Sequence, residues 1–536
     1  MTSKRSRRAA GLVRAPVLAL ALGGIAALAH AGPRATAADD WPMFGKTVDN
    51  TAAGSGAHGA RAAKLHLKWT FTTGGDVSAR AAVVNGKAFF PDWGGNLWAV
   101  STKDGHAIWG HQLSDYGLPA ATHSRTTPAI KDGVLYLGTQ EGAWLLAIDA
   151  NTGALRWKLQ LEGPDVDPYA AITASPVISG NLLYTGLASL QENAASYVPG
   201  FVCCSARGSV VAVHLGGPQR GQVAWQTHTV PPGYSGGAVW GSNFAVDPVR
   251  HRLYVGTGNN YSHPTDPAYL ACVAAGGVPG SCQSRANHVD SVLALDTRTG
   301  AIRWAQKFVT WTQPGVTDGS DDWNVSCFVE PFTNCPSSPG PDYDFASAPN
   351  LVTWHDAKGR ARTLLGAGQK SGVYYALDPD SGRVLWQTFV GPGSTLGGME
   401  WGSASDGQRI YVAVANFFGV PYAAGSAGSW AALDPATGAI LWQVADPNGS
   451  IALGPLAVSD GVVYASSMGA DPATPTMLAL DAATGGTLWS FAAGSSVNAG
   501  ATPVGDEVFW GSGYAHLGIP GFTGNTTFYA FTNRAP

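Results

Sequence analysis

Along most of the chain, apolar residues alternate with small or polar ones in short runs. Examples are "GVLYLGT" from Gly133, "RLYVGTG" from Arg252, "GVVYASS" from Gly461 and "EVFWGSG" from Glu507. A period of two is the mark of a strand with one face buried. Runs of this kind precede copies of a second pattern: small, apolar, Asp, two residues, Thr or Ser, Gly, three residues, Trp. It reads "AIDANTGALRW" ending at Trp157, "ALDTRTGAIRW" at Trp304 and "ALDPDSGRVLW" at Trp386. It returns as "ALDPATGAILW" at Trp442 and "ALDAATGGTLW" at Trp489. A looser copy, "AVSTKDGHAIW", ends at Trp109, and a still looser one runs from Ala212 to Trp225.

One such unit is a strand, a turn in which Asp and Gly accept the required geometry, and a second strand that delivers a Trp. A lone unit cannot bury both faces of its sheet, but several arranged radially can. The pattern therefore predicts an all-β fold, a β-propeller with almost no helix. Seven tryptophans mark units from Trp109 to Trp489, and Trp69 in "KLHLKWTF" marks an eighth. The C-terminal "TTFYAFT" has the strand without the Trp. The N-terminal strand is thus expected to complete the last blade and close an eight-bladed ring, one domain over residues 41–536. Spacing widens between Trp157 and Trp386, so blades three to five carry the long loops. Long loops on a rigid scaffold commonly carry function.

Residues before the ring change the expected setting. Five basic residues (Lys4, Arg5, Arg7, Arg8, Arg14) precede "APVLALALGGIAALAHA". This reads as a secretory leader over residues 1–31, with Ala35–Ala37 as a later cut, and as Sec rather than twin-arginine export. No other run is apolar and long enough to span a bilayer. The 32 basic residues less those five leave 27 against 36 acidic, a net charge near −9. That argues against nucleic acid as a partner.

Exported chains keep disulfides. The six cysteines leave 15 pairings open. Proximity favours Cys203 with Cys204, Cys272 with Cys282, and Cys327 with Cys335. There is no Cys-x-x-Cys-His for haem attachment and no zinc-type spacing.

The Trp repeat resembles the tryptophan-docking motif of pyrroloquinoline quinone (PQQ) propellers, and the resemblance covers the chain from about Trp41 onward. Within the quinoprotein alcohol dehydrogenase superfamily, "WPMFGKTVDNT", "CCSARGSVVAV", "GPDYDFASAP", "GAGQKSGVYYALDPDSG" and "GGMEWG" resemble the polyvinyl alcohol dehydrogenase branch. The family implies PQQ and Ca²⁺ as cofactors and an alcohol as substrate. With no haem in the chain, it also implies a separate cytochrome c or other electron acceptor.

The same resemblance assigns roles. Trp240 would lie under the quinone ring, where an indole offers a large flat face. Asn259 and Glu192 would be oxygen ligands of the metal. Lys370 would reach the quinone oxygens and hold growing negative charge. Arg125 and Arg207 would pair PQQ carboxylates, with Thr173 and Ser175 as hydroxyl donors beside them. Trp401, preceded by Glu400, would line the same cavity. The Cys203–Cys204 pair would either press on the open quinone face opposite Trp240 or serve as a structural ring.

The family's catalytic Asp follows a Trp, but here Asn324 follows Trp323 and cannot act as a base. The base is therefore expected at Asp344 or Asp342, with Asp344 favoured by "DFA" and also placed near the metal. Asp321 and Asp322 stand behind them. The alternative function is a non-catalytic propeller scaffold in the cell envelope, which needs the repeat but not this set of polar residues.

Overall fold

The computed structural model describes residues 39–54, 59–241, 243–308 and 320–534. The leader expected over residues 1–31, or up to 37, lies outside the described residues. Eight antiparallel sheets form the chain's body. First strands of successive blades lie side by side around the axis, and Thr502–Val504 of blade 8 packs back on Ala82–Val84 of blade 1. In blade 8 the outer strand is His66–Thr72, paired antiparallel with the C-terminal Thr527–Thr532. The ring is closed by the two ends of the chain, as the orphan Trp69 and the Trp-less last strand predict. Among the described residues there are three α-helices: Gln191–Tyr197, Pro267–Ala274 and Pro279–Cys282. None of the described helices is long and apolar enough to cross a membrane.

The repeat earns its spacing from contact between blades. Each Asp caps its own turn: Asp434 Oδ1 accepts from the Ala436 and Thr437 amides, and Asp481 Oδ1 from those of Ala483 and Thr484. The Trp of one blade then lies on the turn of the next. Trp69 Nε1 donates to Thr102 O, Trp304 Nε1 to Pro379 O, Trp386 Nε1 to Pro435 O and Trp442 Nε1 to Ala482 O, all at 3.0–3.1 Å. The turn Gly sits beneath the ring. At Gly438 φ is +75°, and a Cβ there would stand 2.5 Å from the Trp386 ring, so both conformation and space call for glycine. Blade 8 has no such turn, because its outer two strands come from opposite ends of the chain. Trp489 packs instead on Phe531, with ring centroids 4.9 Å apart.

Strand order fixes which loops share a face. In a four-stranded antiparallel blade, the loops after the second and fourth strands emerge on one face and the turns after the first and third on the other. Every long insertion falls in the first class: 190–208 in blade 3, 257–290 in blade 4, and the connection leaving blade 4 after Phe308. The Cys203–Cys204, Cys272–Cys282 and Cys327–Cys335 disulfides all lie in these loops.

One element has no counterpart in the repeat. Residues 41–54 run along the axis-facing edges of the first strands. Trp41 exchanges two hydrogen bonds with Val83, and Ile130 N donates to Pro42 O. The amides of Val246, Leu351, Ser405 and Val458 donate to the carbonyls of Val48, Asp49, Thr51 and Ala52. Ala53–Gly54 then joins blade 7 as a parallel strand. Blades 1, 2, 4, 5, 6 and 7 thus satisfy inner-edge groups on a single strap, groups that would otherwise be unpaired in the core.

Candidate active site

Four loops of the long-loop face bring the central charges together. Asp344 is buried on the connection into blade 5. Its Oδ2 accepts from Trp240 Nε1 at 2.8 Å and from Lys370 Nζ at 3.2 Å, and its Oδ1 accepts from the Asn259 amide at 2.8 Å. Lys370 follows the second strand of blade 5, and its Nζ also reaches Asp342 Oδ2 at 2.9 Å. The ammonium lies 5.1 Å from the centre of the Trp240 ring. Burial alone would lower the Lys370 pKa, but the charges of Asp342, Asp344 and Glu400 outweigh it and hold the ammonium well above its ordinary range. One lysine thus serves several carboxylates. Burial first, and then the Asp344 charge, push the Asp342 carboxyl well above its ordinary value.

The cavity continues toward the axis. Trp240 meets Trp401 edge to face at 5.6 Å, and the Arg125 guanidinium lies 4.3 Å over the Trp401 ring. Thr173 Oγ1 donates to Trp240 O, and Ser175 Oγ accepts from the Thr127 amide. Arg125, Thr173, Ser175 and Trp401 line one pocket together with Phe44 and Arg80. Glu400 faces Lys370 and Arg125; burial raises its carboxyl pKa to about 7 against the pull of both cations. Glu192, on the first turn of helix Gln191–Tyr197, faces the same group. Burial raises its pKa to about 7, opposed by Lys370 and reinforced by Asp344.

A second layer fixes the Asp342–Asp344 loop. The Asp321 carboxylate accepts from the Asp342 and Tyr343 amides. Asp322 takes Asn260 Nδ2 and His263 Nδ1. Asn324, in the family's catalytic position, is structural: its Nδ2 donates to Tyr261 O and Asn334 O, and its Oδ1 caps Ser326. Asn334 in turn accepts from the Cys203 amide. The vicinal pair is packed there, with Cys203 Sγ 3.7 Å from Tyr261 O and Cys204 Sγ 3.8 Å from Gln191 O. It lies beside the Glu192 helix.

Arg207 stands apart from this cluster. A parallel bridge to Gly236 carries its backbone along the entry to blade 4. Its guanidinium lines a separate cleft with Glu162 and His228. Tyr514, buried against Arg125, carries no expectation from the sequence. Its signal is register: it follows Gly-Ser-Gly after a second strand, as Asn259 follows Gly-Thr-Gly.

The residues fit the implied groups on two observations. The amide nitrogen of Asn259 is committed to Asn260 O and Trp323 O, which turns its Oδ1 the other way. Asp342 Oδ1 is buried with no hydrogen-bond partner. Hard oxygens in excess of donors suit a cation such as Ca²⁺. Among the described residues no three His, Cys, Asp or Glu side chains converge as a self-sufficient metal site. Two carboxylates and one amide would leave coordination positions to a cofactor. Arg125 with the Ser175 hydroxyl suits a carboxylate, whereas the Thr173 proton is committed to Trp240 O, against the expectation for that residue; Trp240 and Trp401 suit a flat ring system.

The family model described as outer membrane protein assembly factor BamB matches residues 54–207 and 369–517. The polyvinylalcohol dehydrogenase of Sphingopyxis sp. (strain 113P3) is 28% identical over 506 residues, covering 84% of this chain and 69% of that protein. The polyvinylalcohol dehydrogenase of Pseudomonas sp. is 28% identical over 524 residues, covering 89% of this chain and 73% of that protein. In fold, the chain is similar to the quinohemoprotein alcohol dehydrogenase from Comamonas testosteroni: TM-score 0.68, 18% identity, 94% of this chain and 82% of that one.

Proposed function

The chain belongs to the PQQ-repeat propeller family whose model is described as outer membrane protein assembly factor BamB, and within it we propose a quinoprotein alcohol dehydrogenase that uses PQQ and Ca²⁺. The observation that carries this reading is Asp344, held by Trp240, Asn259 and Lys370, with Trp240 edge to face on Trp401 and Arg125 over the Trp401 ring. A scaffold has no use for buried, competing charges of this kind.

In this reading Arg125 and Ser175 would hold the cofactor's carboxylates, Thr173 fixes the Trp240 backbone instead, and Trp240 with Trp401 would bound its ring. Glu192 and Asn259 would hold the metal, with Asp344 beside it. When bound, the quinone supplies the two-electron acceptor and the cation supplies Lewis-acid polarisation. Asp344 takes the hydroxyl proton of the alcohol. Its Oδ2 is occupied by two donors, while Oδ1 has one and keeps a lone pair for the proton. Asp342 is the less available base, because burial and the Asp344 charge raise its carboxyl pKa and favour the protonated form. The Lys370 ammonium stays charged throughout and balances negative charge arriving in the cavity. The product is a ketone or aldehyde, and the electrons leave to a separate acceptor, a cytochrome c or its equivalent.

The names of the two 28%-identical relatives support a secondary, polymer-borne alcohol as substrate. The three disulfides and the basic, apolar leader support a place outside the cytoplasm.

Reconstitution tests the proposal. The oxidised chain receives PQQ and CaCl₂, and dye reduction is followed with polyvinyl alcohol, 2-propanol and small polyols. Turnover that requires both additions is the expected result. PQQ binding without turnover would point to a lost base or another substrate, and absence of PQQ binding would leave the envelope scaffold.

A further inference from the structure

The strap does more than fill the axis. Phe44 and Arg80 line the inner end of the pocket that holds Arg125, Thr173, Ser175 and Trp401. Arg80 is fully buried, stacked 5.4 Å from the Trp41 ring and 4.8 Å from the Phe44 ring. Its Nη1 donates to Phe44 O and its Nη2 to Leu456 O, both at 2.7 Å. The Leu456 amide donates to Gly402 O, directly behind Trp401. A Cβ on Gly402 would stand 3.3 Å from the Phe44 ring, so the strap backs the Trp401 loop by contact as well. Trp41 Nε1 is a second donor to Phe44 O.

We propose that the strap is the floor of the cofactor cavity, and that Phe44 and Arg80 are positioning residues that set Trp401 and retain the bound quinone. The assignment rests on the quinoprotein reading for its ligand, but its geometry involves none of the residues given to metal or proton chemistry. The inner edges of six blades are engaged by the strap. The cavity therefore opens toward the long-loop face, and a ligand leaves by that face unless the floor gives way. A rigid floor also means that the Trp401 face is set before the cofactor arrives, which reduces the ordering that binding requires.

The test uses the full oxidised chain, wild type and the variants Phe44→Ala, Phe44→Leu and Arg80→Met, with PQQ and CaCl₂ as the probe. Two readouts are taken: the rate of PQQ release after dilution, followed by recovery of tryptophan fluorescence, and amide hydrogen exchange of residues 41–54 and 397–403. Phe44→Ala is expected to release PQQ about tenfold faster, with Phe44→Leu close to wild type, since a weakened binding surface shows itself mainly in the dissociation rate. Exchange over residues 41–54 should slow on loading in the wild type and not in Phe44→Ala. A purely structural role would lower the melting temperature in both Phe44 variants without separating their release rates. Equal PQQ retention in wild type and Phe44→Ala overturns the proposal. If the wild type itself binds no PQQ, the quinoprotein reading falls separately and the unloaded chains decide. Faster exchange in Phe44→Ala over both 41–54 and 397–403 supports the link to Trp401, and a change confined to 41–54 overturns it. Should Arg80→Met fail to fold, the Phe44 pair decides alone.

Discussion

At the scale of single residues, the candidate site is a contest among carboxylates for one ammonium, and that contest makes its members separable. Asp344→Asn keeps the shape and removes the base, so kcat should fall by about 10²–10⁴, the usual worth of a positioned general base. Asp342→Asn leaves Asp344 with an undivided Lys370 and should cost less than about tenfold on the same scale. Steady-state kinetics on a reconstituted enzyme checks both, and the reverse order would move the base to Asp342. Glu400 gives a test by pH. Its carboxyl ordinarily titrates at 4.5 and is raised to about 7 by burial. Between those values the folded chain holds a proton that the unfolded chain has lost. Its stabilising contribution is therefore full below pH 4.5 and is lost as pH rises through 7. Thermal melts should show a shallower fall across that window in Glu400→Gln than in wild type; parallel profiles would show that Glu400 is not buried as described. Asn259, Lys370, Trp240 and Asp344 were picked out by the family resemblance of the segments around them, and the fold brings the four side by side. Arg207 was misleading: its Arg-Gly setting is right, but a backbone bridge to Gly236 turns it toward Glu162. No local pattern reveals a pairing across 29 residues of chain.

At the scale of elements, the stabilising unit is a contact between blades. Except at Trp489, the Trp of a repeat finds its partner in the following copy, which is why the pattern could be read without knowing any fold: Asp, Gly and Trp are each required by a stated geometry. Gly438→Ala tests this. The new Cβ would sit at φ +75° and 2.5 Å from the Trp386 ring. A loss of about 1–3 kcal/mol is expected from denaturant unfolding, on the scale of strained left-handed residues and overpacking. The same change at Gly461, whose φ is +78° with nothing within 4 Å of a Cβ, should cost less, because only the backbone strain remains. Equal losses at the two sites would mean that the docked ring contributes nothing to the glycine requirement. The strap, by contrast, was not legible as an element. "DWPMFGKTVDNTA" has no alternation and no repeat, and its carbonyls are matched by amides from blades spread over most of the chain. Its order comes from the channel it fills.

At the scale of the whole molecule, strand order sorts the chain into two unlike faces. Short turns occupy one face, with the strap across the inner edges. The other collects the long loops, the disulfides and the charged cavity, and the loops that form its rim carry exposed apolar side chains. Val202 is 86% exposed and Phe418 61% exposed, and Tyr197, Leu270, Phe328 and Phe332 are exposed on the same set of loops. Isolated exposed apolar residues are ordinary, but several on the loops of one face give a long substrate apolar surface to lie on. A small alcohol would pass this rim and meet only the charged interior. A long chain with methylene carbons between its hydroxyls would lie along it while one hydroxyl reached Asp344. Placing a charge on the rim should therefore discriminate by substrate length. Phe418→Asp and Val202→Asp are expected to raise KM for polyvinyl alcohol about 3–10-fold, which is what one modest apolar interaction is worth. KM for 2-propanol, and kcat for both, should stay within about twofold on that same scale. A parallel rise for both substrates would mean that the rim shapes the cavity itself. No rise for either would leave the apolar loops without a part in binding substrate, and the polymer would have to be recognised at the charged interior alone.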